Sequence, residues 1–249
     1  QCGNPLEVRY DLEKLKTALL NRRPAGLAES ALLTWKDILP IDDPGLIERV
    51  SIGETQTPLV KSANLCKEIG IADLRFKMEM GPTLSLKDRG TSLCALKALE
   101  LGYDTLCVAS SGNNAASVAA YAAKAGLPAI VFIQKDTAAA KMYKMLIYGA
   151  RVVRIDGDMR AASRLCNEML ERHRWMQAGG PNPYRITAKR TAAYEIVQQS
   201  GGTAPDAVVI PCGGSAGMAS AHTGFSEMFE MGLIDAMPRL IGIQLAACD

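Results

Sequence analysis

Lys87 lies in the run Thr83-Leu84-Ser85-Leu86-Lys87-Asp88-Arg89-Gly90, after the turn signal Gly81-Pro82-Thr83 and before a helical pattern over Thr91–Leu101. That spacing predicts a loop lysine at a helix N-terminus. The helix dipole there disfavours a cation, so the amine is predicted to have a lowered pKa and to be fit for nucleophilic or base chemistry. Two small-residue turns follow at long range, Ser110-Ser111-Gly112-Asn113-Asn114 and Gly213-Gly214-Ser215-Ala216-Gly217. Each comes after a short aliphatic run and opens a helical stretch, a junction that presents free N–H groups to an anion. Glycines in the second turn also let a backbone approach a phosphate closely. A lysine able to form an imine, combined with a phosphate cradle, suits pyridoxal 5′-phosphate. A nucleotide is not indicated, because neither G-x-x-x-x-G-K-[ST] nor a clean G-x-G-x-x-G occurs.

Taken singly, each feature has an ordinary reading. Lys87 is one of 28 Lys and Arg residues, most of which should be solvated. Ser111 or Asn113 is expected to N-cap the helix that follows. Asp88 and Arg89 are expected as first-turn caps or a surface ion pair. The combination carries the chemistry.

The elements that must position these groups alternate. Apolar runs at Thr105–Ala109, Ala129–Ile133, Arg151–Ile155, Ala207–Ile210 and Leu240–Gln244 read as strands. Helical patterns lie between them: Ala115–Ala125 ending at Gly126, Ala138–Tyr148 ending at Gly149, then Met159–Trp175 and Lys189–Gln199. Strands alternating with helices predict an α/β fold of two open, mostly parallel sheets flanked by helices, with both sheet faces covered. Residues 21–50, with Pro24, Pro40 and Pro44, read as an irregular N-terminal wrap. Residues 177–185 read as a Gly/Pro-rich crossing back from a small inserted domain. The expected division is 1–50 as the wrap, 51–88 with 181–249 as the larger cofactor-binding domain, and 89–180 as the smaller insert. The chain stops at Asp249, just after a strand that reads as buried, so a C-terminal part of the larger domain is expected to be missing.

Composition narrows the field. The 249 residues are 48% hydrophobic and 22% charged with a net charge of +2, which gives no reason to expect nucleic acid or an anionic membrane as partner. No run reaches the roughly 20 apolar residues of a spanning helix, and the polar N-terminus is not a secretory signal. The seven cysteines are widely spaced without a C-x-x-C pair and read as buried free thiols of a reducing, cytoplasmic compartment. No metal is expected. Cys2-Gly3 is either an ordinary terminal cysteine or the end of a zinc knuckle whose other ligands lie upstream. His173 and His222 form no catalytic pair and read as helix-surface residues.

The Lys87 segment resembles the cofactor-lysine motif Pro-Thr-Gly-Ser-Phe-Lys-Asp-Arg-Gly of threonine synthase and its relatives, the fold-type II, tryptophan-synthase-β-like family. Pro82, Thr83, Ser85, Lys87, Asp88, Arg89 and Gly90 match; Leu84 replaces the motif glycine and Leu86 the phenylalanine. The similarity begins near Leu6 and continues through Thr57-Pro58-Leu59 to about Ile243. The resemblance implies that Lys87 carries pyridoxal phosphate and shuttles protons. It also implies that Asn113 bonds the cofactor ring hydroxyl, and that Ser111, Gly112, Asn113 and Asn114 receive the substrate carboxylate. Gly213, Gly214, Ser215, Ala216 and Gly217 are implied to hold the cofactor phosphate. Asn182-Pro183-Tyr184-Arg185, followed by Lys189-Arg190-Thr191, resembles the Asn-Pro-x-Arg-x-x-(Gly)-x-Lys-Thr segment of threonine synthases, whose arginine grips a substrate phosphate, a task that passes to Arg185; an interdomain salt bridge is its structural alternative. The Asn-Ser pair that assists in the family is Gly179-Gly180 here.

The implied activity is a lyase or synthase acting on an amino acid, foremost γ-elimination of O-phosphohomoserine with β-addition of water. β-Replacement on O-phosphoserine, serine or threonine dehydration, and a degenerate non-catalytic ligand binder stay open, as does a homodimer.

Overall fold

The computed structural model describes residues 6–22, 29–180 and 182–246. The reading of Cys2 falls outside them. The chain opens with α1 (Leu12–Leu20), capped by Asp11, whose carboxylate accepts from the amides of Glu13 and Lys14. The segment read as an irregular wrap contains two one-turn helices, α2 (Ala31–Thr34) and α3 (Ile47–Val50), and two 3-10 turns. Next, β1 (Leu59–Lys61) and β2 (Arg75–Lys77) pair antiparallel across α4 (Ala63–Ile69).

The central run is α5 (Lys87–Glu100), β3 (Thr105–Ala109), α6 (Asn113–Ala125), β4 (Ala129–Gln134), α7 (Ala139–Leu146), β5 (Arg151–Ile155), α8 (Met159–Arg172) and β6 (Trp175–Gln177). Its strands form one parallel sheet in the order β5-β4-β3-β6. The chain then forms α9 (Pro183–Lys189), α10 (Thr191–Gln199), β7 (Ala207–Pro211), α11 (Ala216–Glu230) and β8 (Arg239–Ile243), with β7 and β8 parallel. The fold is α/β, with parallel sheets flanked by helices. The antiparallel β1–β2 pair is an addition to the two sheets expected.

Small side chains set the spacing in the centre. Ala115, Ala119 and Ala122 on α6 are fully buried, and short side chains let α6 lie close to both α5 and β3. Gly126 ends α6 in the left-handed region at φ +71°, as the sequence signalled. Gly90 permits a close approach of α5 to α9: a Cβ there would stand 3.0 Å from the Arg185 carbonyl oxygen and 3.2 Å from its Cα.

Several boundaries differ from the sequence reading. The helix read over Met159–Trp175 ends at Arg172; His173 turns extended, and Trp175 joins β6 opposite Thr105. No glycine or proline marks that change, and the His173 and Trp175 rings stack at 4.5 Å. The helix read over Lys189–Gln199 is two helices joined at Arg190. The first starts earlier, at Pro183, because Asn182 caps the amides of Tyr184 and Arg185. Covered strand faces hold for β3, whereas Val209 on β7 and Ile243 on β8 are exposed. Cys66, Cys94, Cys107 and Cys166 are buried free thiols, and Cys212 is half-buried.

Candidate active site

Lys87 is the first residue of α5 rather than a loop residue. The Ser85 hydroxyl accepts from the Lys87 amide at 3.2 Å, and the Ser85 carbonyl accepts from the Asp88 amide. Its amine is half-buried, and its pKa is lowered as expected, but by burial first and then by the Arg185 charge. Asp88 fixes the loop before the lysine. Its carboxylate accepts from the Thr83 amide at 2.8 Å, from the Thr83 hydroxyl, and from Ser117 of α6 at 2.7 Å. A Cβ on Gly81 would fall 2.6 Å from that carboxylate, so only glycine fits there.

Arg89 is no surface ion pair. It is buried and donates to Glu79, to Thr57 and, through both terminal nitrogens, to Glu195 at 2.6 and 2.7 Å. Burial pushes the Glu195 carboxyl up, but Arg89 and Lys77 outweigh it and hold the group at about 2. This network joins the start of α5 to α10 and to the strand pair β1–β2, giving Lys87 a rigid base.

The first small-residue turn sits between β3 and α6. Gly112 is the N-cap, with no side-chain cap bond, so the expected capping by Ser111 or Asn113 does not occur. The amides of Ser111, Asn113 and Asn114 have no acceptor among the described residues. They stand unpaired at the start of a 13-residue helix, an arrangement suited to a carboxylate. Asn113 is exposed, while Asn114 is buried and bonds both the Ala178 carbonyl, at 3.2 Å, and Arg185, at 2.9 Å.

The second turn sits between β7 and α11. Ser215 caps α11 without a side-chain bond, and the amides of Gly213, Gly214, Ser215, Ala216 and Gly217 have no acceptor among the described residues. No atom lies within 4 Å of a Cβ built on Gly213 or Gly214, whereas one on Gly217 would meet Leu86 at 3.6 Å. The residue before Lys87 therefore lies beside the second turn. A string of unpaired amides near a lysine of lowered pKa fits the phosphate and aldehyde of pyridoxal phosphate.

Arg185, on α9, is buried and makes no salt bridge among the described residues. It donates to the Gly180 carbonyl at 3.1 Å and to Asn114, its Nε has no partner, and burial lowers its pKa. Two neighbours escaped the sequence reading as site residues. Lys189, four residues on, is 4% exposed, and burial, Arg185 and Lys87 push its pKa down to about 7. Cys94 of α5 lies beside Arg185 and Lys189, its thiol pushed up to about 12 by burial. The i, i+4 spacing of Arg185 and Lys189 was the available signal, since it places both on one helix face.

Lys87, Asn114 and Arg185 are thus brought together, with the second turn adjoining through Leu86. Ser111, Gly112 and Asn113 lead directly into Asn114 at the same helix start. Among the described residues there is no cluster of metal-binding side chains, and no helix is long and apolar enough to cross a membrane.

This fold and lysine site define a pyridoxal-phosphate enzyme of the α/β type. Residues 50–249 match the family described as "Pyridoxal-phosphate dependent enzyme", and the chain belongs to that family, whose cofactor is pyridoxal 5′-phosphate. Among curated proteins it is similar to threonine synthase of Methanocaldococcus jannaschii, with 34% identity over 98% of this chain and 60% of the relative. It is likewise similar to threonine synthase of Methanosarcina acetivorans, with 35% identity over 98% of this chain and 59% of the relative. The chain spans about 60% of the length of these relatives. Among solved structures, the T.th. threonine deaminase superposes with a TM-score of 0.67 and 27% identity over 82% of this chain and 64% of that one. Maize serine racemase shares the fold, with a TM-score of 0.67 and 21% identity over 82% of this chain and 61% of that one.

Proposed function

We propose that the protein is a pyridoxal-phosphate-dependent carbon–oxygen lyase of threonine-synthase type. Its reaction would eliminate the γ-phosphate of O-phosphohomoserine and add water at the β carbon. The observation that carries this reading is Arg185: a buried guanidinium beside the Lys87 amine, with no carboxylate among the described residues to occupy it. The threonine synthase relatives support the same choice.

The cofactor, when bound, supplies a carbonyl for the substrate amine and a sink for the electrons left at the α carbon. The chain supplies the rest. The unpaired amides of Gly213–Gly217 would hold the cofactor phosphate. The Lys87 amine, its pKa lowered by burial and by Arg185, is the base that takes a proton from the substrate α carbon and returns one at a neighbouring carbon. The amides at the start of α6 hold the α-carboxylate, and the exposed Asn113 side chain is the group offered to the cofactor ring. Arg185 orients the substrate phosphate through its planar donors. Asp88 and Arg89 keep Lys87 at a fixed place on α5.

A serine or threonine dehydratase is the second reading. It is favoured by Gly179, where a Cβ would strike Val108 at 2.7 Å, so no side-chain donor for a substrate phosphate can stand there.

The test uses the full-length protein with pyridoxal phosphate. The long-wavelength absorbance of lysine-bound cofactor should appear and vanish in Lys87→Ala. O-phosphohomoserine, O-phosphoserine, serine and threonine are then offered in turn. Threonine and inorganic phosphate from the first support the proposal; a keto acid and ammonia from serine or threonine alone select the dehydratase. Bound cofactor with no turnover of any of the four selects the non-catalytic binder.

A further inference from the structure

We infer that Lys189 is a specificity-determining residue of this site: its side chain and the Arg185 guanidinium together hold a phosphoryl group on the substrate, in place of the donors absent at Gly179 and Gly180. The inference rests on the reading of the site as one for a phosphorylated amino acid.

Position comes first. Arg185 and Lys189 are four residues apart on α9, one turn or about 6 Å along the axis. They are 6% and 4% exposed. Like charges at this spacing repel, and burial raises the cost. The titratable groups facing Lys189 are Arg185 and Cys94, and Lys87 from the start of α5. No carboxylate is among them. Asp88 is committed to Thr83 and Ser117, and Glu195 to Arg89 and Lys77. Lys189 itself has no hydrogen bond or ion pair among the described residues.

A second observation points to a ligand. Arg185 Nε is buried without a partner, while its two terminal nitrogens are used. Buried donors of this kind are satisfied in nearly all proteins, and an anion set between α9 and the start of α5 satisfies them here. The backbone explains why the donor comes from Lys189. A side chain at 179 meets Val108, and Gly180 sits at φ +54°. A dianionic phosphoryl group answers two or three converging cations better than a carboxylate does. Lys189 is partly neutral near pH 7 when the site is empty, so anion binding draws a proton onto it.

The test is calorimetric, on full-length protein already loaded with pyridoxal phosphate so that the second turn is filled. Inorganic phosphate is titrated at about pH 8, where it is already mostly dianionic and releases little proton of its own on binding, in two buffers of different ionisation enthalpy, with acetate as a parallel arm. Wild type should bind phosphate with proton uptake and acetate only weakly. Lys189→Gln should weaken phosphate about ten- to a hundredfold and abolish the uptake, with cofactor absorbance unchanged. Lys189→Arg should keep most of the affinity without the uptake. Lys189→Met serves if the glutamine variant folds poorly. Phosphate affinity in the Gln or Met variant within about twofold of wild type, or no phosphate binding by wild type, overturns the inference. If phosphate binding depends on Lys189 but no phosphorylated amino acid is turned over, the reaction proposed above falls and the anion site stands. If turnover is intact and phosphate affinity ignores Lys189, the reverse holds.

Discussion

The Arg185 guanidinium donates to the Asn114 side-chain oxygen at 2.9 Å, joining α9 to the first turn of α6 across 71 residues of chain. Through this bond the residue proposed to grip the substrate phosphate is oriented by the helix proposed to hold its carboxylate. Asn114→Ala should leave the guanidinium free to swing, raising KM for a phosphorylated substrate about tenfold with kcat little changed. Asn114→Asp should be worse, because a carboxylate would pair with Arg185 and repel the incoming anion. Steady-state kinetics of both variants decide the matter: equal effects from the two would mean that Asn114 only packs.

The Arg89–Glu195 pair makes a separate claim on stability. Glu195 is fully buried and bridges Arg89 and Lys77. Glu195→Gln leaves Lys77 without its ion pair and Arg89 with Glu79 alone, and should cost about 3–5 kcal/mol in chemical denaturation. The sign with pH follows from the depressed carboxyl. Its contribution is full above the ordinary value of 4.5 and is lost as pH falls toward about 2, so acid should destabilise wild type more than Glu195→Gln. Parallel pH dependences in the two proteins would contradict this.

Most of the βα alternation could be read from periodicity and punctuation, as at Thr105–Ala109 or the Gly126 stop. Trp175 could not, because an aromatic residue continues an amphipathic pattern as readily as it starts a strand. The candidate lysine and both turns were legible as local motifs. The Asn114–Arg185 bond and the burial of Arg89 were not, since each depends on helices distant in sequence meeting side by side. Lys189 was legible only as part of the run Lys189-Arg190-Thr191 that follows Arg185, with no role attached to it. It takes on meaning when α9 is seen against α5, with Gly90 allowing the contact.

The same burial gives Lys189 a stability signature that needs no substrate. Its pKa falls from 10.5 to about 7 on folding, so the unfolded chain binds more protons between those values and stability rises with pH across the window. Below about 7 the folded protein carries the full penalty of the buried charge. Lys189→Met should therefore raise the Tm of the protein in phosphate-free buffer near pH 6, and the advantage should shrink toward pH 10. A Tm difference independent of pH would show that the lysine is not buried as a cation.

Leu84 stands where the resembled motif has glycine, and it is the non-glycine residue with positive φ, at +60°, among the described residues. Its side chain is 70% exposed, so no packing repays the strain, and the turn is held by its amide bonding the Gly81 carbonyl at 2.7 Å. A left-handed L-residue costs roughly 1–2 kcal/mol, of which the greater freedom of an unfolded glycine returns about half. Leu84→Gly should thus stabilise the protein by about 0.5–1 kcal/mol, whereas Leu84→Ile, branched at Cβ, should destabilise it by about 1 kcal/mol. Urea denaturation of the two variants checks both signs. Because the residue lies three positions before Lys87, cofactor absorbance in Leu84→Gly also reports whether relaxing the turn moves the amine. Retained absorbance with higher stability would mean that Asp88, rather than the turn, sets its place.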